Sequence, residues 1–293
     1  MSTTSYTEHE YASEDGLRLY FRDYAARAEA NALPVLCLHG LTRNSRDFAF
    51  IAEHLAAYHR VIAPDLRGRG RSEYDADWHN YHPYRYVADV RTLLDELSIG
   101  RFIILGTSLG GLMTAIIASE RPEAIAAAVI NDIGPEIEPA GVARISADVG
   151  TLPVVTSWAE AIEQTRRNYE IGLPDLSEEA WRWYAESTYK RIADDTLDMN
   201  FDRNIGVATR AGVSGLRHDP WALFDALAHI PTLILRGEHS DILAHATVVK
   251  MHARYPMLTS ATVKNRGHAP LLNEPDSIAA IAAFFESFGT IGG

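Results

Sequence analysis

The chain has a single cysteine in 293 residues. A lone thiol cannot close an internal disulfide, so packing must hold the fold, and the composition fits a reducing compartment; a cytoplasmic protein is expected. Cys37 lies inside the apolar run 34–38 with nothing beside it to lower its pKa, which assigns it to the core. Basic stretches are missing too. The 27 Lys and Arg against 39 Asp and Glu leave a net charge of −12, which repels phosphate backbones and anionic lipid. Neither nucleic acid nor a membrane surface is therefore expected as a partner. No apolar run approaches the length of a membrane span, and residues 1–10 are polar, without the apolar core of a secretion signal. Internal repeats, low-complexity linkers and the His/Cys spacing of a metal site are all lacking, so no metal or cofactor is expected.

What is there is an ordinary globular composition, 47% hydrophobic and 23% charged, in a chain long enough for one large core and an inserted subdomain. Residues 8–13 and 17–24 read as a hairpin turning at Glu14-Asp15-Gly16. After it, short apolar runs at 34–38, 60–63, 101–105, 126–131, 232–235 and 258–263 alternate with helical stripes. Ile278, Ile281, Phe285 and Phe288 mark a closing amphipathic helix. Strand and helix in alternation predict an α/β fold: a mostly parallel central sheet with helices on both faces. The alternation stops at residues 136–215, where Trp, Tyr, Arg and acids dominate. This predicts an inserted helical cap at 136–215 on a core made of 1–135 and 216–293.

One stretch carries the chemistry. Gly106-Thr107-Ser108-Leu109-Gly110-Gly111 joins the run at 101–105 to the helical stripe Leu112, Met113, Ile116 and Ile117. This is the G-x-S-x-G turn that lifts a serine out at a strand-to-helix corner, where the residues two before and two after it must be small. A serine hydroxyl needs a base within hydrogen-bond reach and a carboxylate to orient that base. His268 follows a strand and a glycine near the C-terminus and has that context. His39, His239 and His245 read as turn or surface histidines. Asp241, six residues past Leu235 on a strand-to-helix loop, is the favoured acid; Asp132, at the end of the preceding strand, is its rival. Backbone N–H groups of Leu41, after His39-Gly40, and of Leu109, after the serine, are the expected donors to a developing oxyanion. Trp158, Trp183 and Tyr184 are the aromatics expected to line a substrate pocket.

On His39-Gly40-Leu41, the loop 65–72, the serine turn, the run 237–241 and Gly267-His268, the chain resembles the serine hydrolases of the α/β-hydrolase fold over nearly its whole length. The resemblance implies the triad Ser108, Asp241 and His268, a cap ahead of the helix near Pro220, and a structural role for 65–72. It implies hydrolysis of a carboxylic ester or lactone, a small-molecule substrate, through an acyl-enzyme. Relatives that attack alkyl carbon carry aspartate in the turn, so Ser108 argues against dehalogenase and epoxide-hydrolase chemistry. Thr107 and Ala269 stand where similar carbon–carbon bond hydrolases often have Asn and Trp. Those hydrolases, cofactor-free haloperoxidases and a ligand sensor without turnover are the alternatives.

Overall fold

In a computed structural model, the structure describes residues 6–28, 32–213 and 215–287; Phe288 of the expected closing helix lies outside them. The strands are β1 (Thr7–Ala12), β2 (Arg18–Tyr24), β3 (Val35–Leu38), β4 (Val61–Pro64), β5 (Phe102–Thr107), β6 (Ile125–Asn131), β7 (Tyr189–Ala193), β8 (Thr196–Met199), β9 (Thr232–Gly237) and β10 (Leu258–Val263). The α-helices are α1 (Ala49–Leu55), α2 (Pro83–Glu96), α3 (Leu109–Glu120), α4 (Pro139–Asp148), α5 (Trp158–Tyr169), α6 (Glu178–Thr188), α7 (Asn204–Arg210), α8 (Pro220–Phe224), α9 (His245–Arg254) and α10 (Pro275–Glu286).

Eight strands form one sheet in the order β1-β2-β4-β3-β5-β6-β9-β10. The β1–β2 and β2–β4 pairs are antiparallel and the rest parallel. Period-2 geometry splits each buried strand between two cores. On β3, Leu36 and Leu38 join one cluster with Val90 of α2 and Ile116 of α3. Val35 and Cys37 face the other, with Ile51 of α1 and Ile281 of α10. Helices thus cover both faces, and Cys37 is core, its thiol pKa pushed up by burial.

Residues 136–215 leave the sheet after β6 and carry α4–α7 together with an antiparallel ribbon, β7–β8. Sequence patterning led to helices only. The ribbon strands are five and four residues long and flank the polar turn Asp194-Asp195, too short for period-2 alternation to register. This segment is laced to the loop 65–72 and to Tyr81 beyond it. Gly70 N–H donates to Asn200 O, Asp202 N–H to Gly68 O, and Tyr81 Oη–H to Asp202 Oδ2. That loop is itself held from within: Asp65 accepts the amides of Ser45 and Arg71, and the fully buried Arg67 pairs with Asp15, Asp75 and Asp89.

Candidate active site

Ser108 stands between β5 and α3 with φ 53° and ψ −111°, a backbone conformation that L side chains rarely adopt. The sharp turn brings the chain back on itself. A Cβ on Gly106 would lie 2.4 Å from the Gly110 carbonyl carbon, and one on Gly110 would lie 2.0 Å from the Leu38 carbonyl oxygen. Only glycine fits either place, which is the physical content of the motif. The Ser108 amide is anchored to Asn131 O on the neighbouring strand.

His268 reaches Ser108 from the loop after β10, with Nε2 2.8 Å from Ser108 Oγ. Its other nitrogen, Nδ1, lies 2.8 Å from Asp132 Oδ2 and donates to it, leaving Nε2 free to accept the serine proton. The acid in contact with the imidazole is therefore Asp132, and Asp241 is not. The reason is visible in the turn after β9. Gly237 N–H donates to Asp132 Oδ1 and Ser240 Oγ–H to Asp132 Oδ2, so this turn surrounds the Asp132 carboxylate with donors. Ser240 Oγ also accepts the amides of Ile242 and Leu243, which tightens the turn. Asp241 instead forms a two-pronged pair with Arg144 of α4, at 2.7 and 2.9 Å. Burial works to raise the Asp241 pKa, but the hydrogen bond and charge of Arg144 outweigh it and hold the carboxyl below its usual range.

The His39 turn faces the serine: a Cβ on Gly40 would stand 3.8 Å from Ser108 Cβ. His39 is fully buried; its Nε2 accepts the Leu66 amide and its Nδ1 donates to Gly40 O, the reading of a structural turn histidine. Arg69, also fully buried, donates from Nε to Leu41 O and packs its guanidinium over the Tyr86 ring. Leu41 lines the pocket that opens over Ser108. Leu109 is the first residue of α3, where an amide has no acceptor within the helix.

That pocket, of about 140 Å³, is floored by Ser108 and His268 and walled by residues of the 136–215 segment. Trp183 and Tyr184 line it, as the sequence leads one to expect. Trp158 does not: it opens α5 and packs against the main hydrophobic cluster. Arg43, Arg144 and Asn168 also line the pocket; sequence position just past the His39-Gly40-Leu41 turn left Arg43 outside the expected site, and nothing singled out Arg144 or Asn168. Asn131 was missed as well. Its Nδ2–H groups donate to Thr107 Oγ1 and to Pro270 O, tying the serine turn to the His268 loop. Its place at the end of a predicted strand was the available signal.

The chain matches the alpha/beta hydrolase fold family over residues 34–174. It is 34% identical over 267 residues to the 3-hydroxybutyrate-oligomer hydrolase of Cupriavidus necator, covering 87% of this chain and 89% of that one. The 2-(acetamidomethylene)succinate hydrolase of Mesorhizobium japonicum is 27% identical over 86% of this chain and 88% of its own length. The crystal structure of an alpha/beta hydrolase from Novosphingobium aromaticivorans superimposes with a TM-score of 0.90 at 41% identity, covering 98% of this chain and 99% of that one. With its parallel sheet, its serine turn and relatives that match along nearly their whole length, the chain belongs to the hydrolases of the α/β-hydrolase fold.

Proposed function

We propose that the protein is a serine esterase that cleaves esters of short hydroxy acids. Ser108 is the nucleophile, His268 the general base and acid, Asp132 the orienting carboxylate, and the Leu41 and Leu109 amides the oxyanion donors. The observation that carries this reading is the unbroken chain from Ser108 Oγ to His268 Nε2, and from His268 Nδ1 to Asp132 Oδ2, at 2.8 Å for each link. In the first half-reaction Ser108 Oγ bonds to the ester carbonyl carbon as His268 takes its proton. The carbonyl oxygen becomes an alkoxide, and two amides aimed at it contribute about 3 kcal/mol each to the transition state. Collapse breaks the bond to the alcohol oxygen, which leaves with the proton from His268. Water, deprotonated by the same imidazole, then releases the acid and restores the serine. The polar and apolar walls supplied by 136–215 act as the cap that excludes bulk water from these steps.

The hydroxy-acid substrate class is supported by the Cupriavidus relative, which is named for hydrolysing 3-hydroxybutyrate oligomers. The test is a product assay on a panel holding a p-nitrophenyl ester, a 3-hydroxybutyrate dimer, β-butyrolactone and a vinylogous diketone, run for wild type and Ser108→Ala. Ester turnover that falls on the order of 10⁶-fold in the variant is expected. Undiminished ester turnover in Ser108→Ala, or cleavage of the diketone alone, contradicts the proposal.

A further inference from the structure

The pocket over Ser108 holds two arginines with different obligations. Arg43 is saturated. Its Nε and Nη2 donate to the two oxygens of Asp47, its Nη1 to Thr188 Oγ1 and its Nη2 also to Ser187 Oγ, and its guanidinium lies 4.1 Å from the centre of the Tyr184 ring. Arg144 is not: Nε and Nη2 donate to Asp241, and Nη1 has no acceptor among the described residues. Asn168, on α5, lines the same pocket, and its Nδ2 is buried without a partner. The unmade Asn168 donor is buried and therefore costly, while the Arg144 side chain is partly exposed at the pocket with one nitrogen unused; together they point to an acceptor that arrives with the ligand. A guanidinium and an amide N–H lining one pocket present several donors and one positive charge, the chemistry that matches a carboxylate. The acids nearby do not fill this role. Asp47 is held by Arg43, and Asp148, though it lines the pocket, is an exposed residue.

We propose that Arg144 and Asn168 hold the free carboxylate of the substrate while Ser108 attacks its ester carbonyl, so that the enzyme selects hydroxy-acid esters with an unesterified acid at one end. Asp241 takes the Nε–Nη2 edge of the guanidinium, fixing its orientation and moderating its charge. This inference rests on the esterase reading and gives it a substrate polarity.

The experiment compares kcat/KM for the inner ester bond of a 3-hydroxybutyrate dimer with that of the same dimer capped as its methyl ester, products being separated by chromatography. Wild type favours the free acid by at least about tenfold, and the ratio falls as salt is raised. Arg144→Met brings the ratio close to one, chiefly through KM for the free acid. Asp241→Asn raises the ratio, because the guanidinium charge is then uncompensated; an increase of this kind is not a consequence of damaged folding. A wild-type ratio of one or less, or a ratio that Asp241→Asn leaves unchanged or lowers, overturns the subsite. Failure to cleave either dimer or any simple ester overturns the esterase reading itself, whereas cleavage of both dimers at equal rates removes the subsite alone.

Discussion

Two histidines near Ser108 show how burial sorts one residue type into different work. His268 bridges the serine and Asp132, whereas His39 is locked in the turn beneath the pocket with both nitrogens bonded to backbone. Desolvation, reinforced by the positive charges of Arg69 and Arg43, pushes the His39 pKa down to about 3 although Gly40 O favours the charged ring. An unfolded histidine titrates near ~6.5, so between those values the unfolded chain binds a proton that the folded chain refuses. The stability present above about pH 6.5 is therefore lost as pH falls toward 3, at up to ~1.4 kcal/mol per pH unit. From pH 7 to pH 5 this one side chain should remove about 2 kcal/mol from the wild type. His39→Gln keeps a donor and an acceptor but cannot titrate, so denaturation curves across that range should show a visibly flatter decline. Equal slopes in the two proteins contradict the assignment of His39 as a buried neutral acceptor.

At the scale of elements, the β5–α3 corner is the part of the molecule most fully written into local sequence. The switch from an apolar run to a 3.6-residue stripe, with glycines two residues either side of Ser108, identifies strand, turn and helix together. The structure adds the reason for Gly110: its Cα faces the Leu38 carbonyl of β3 at a distance that leaves no room for a methyl group. Gly110→Ala must push α3 away from the sheet, and urea titration should show a loss of about 3 kcal/mol or more, or no folded protein. A loss below ~0.5 kcal/mol means that the close approach is not a constraint. Other elements were less legible. The stretch after Asn44 begins as a 3₁₀ turn, Ser45–Phe48, before α1, a choice set by the tertiary bond from Ser45 N–H to Asp65 and not by periodicity. The β7–β8 ribbon was hidden because its strands are short and polar, and its outside backbone partner, Val155 against Leu197, lies far upstream in the chain.

Across the whole molecule, the sheet brings Ser108, Asp132 and His268 together from strand ends 24 to 160 positions apart in the chain. The 160-residue separation of Ser108 and His268 was readable because the order of strand ends is itself the pattern. The choice of acid was not. Asp132 and Asp241 both follow strands that run to the same edge, and nothing local distinguishes them. What decides is long-range: Ser240 and Gly237 turn their donors onto Asp132, while Arg144, 97 residues before Asp241, draws that carboxylate to the 136–215 segment. Pocket walls were unreadable for the same reason, since Trp158 and Trp183 have similar sequence settings and only packing sends one to the core and the other to the cavity. The most direct test of the Ser108–His268–Asp132 relay is kcat on one small neutral ester for Asp132→Asn and Asp241→Asn side by side. Asp132→Asn should lower kcat by roughly 10³- to 10⁴-fold, as loss of the orienting carboxylate does in serine hydrolases, while Asp241→Asn keeps more than about a tenth of it. The reverse pattern, with Asp241→Asn inactive and Asp132→Asn near wild type, contradicts the relay.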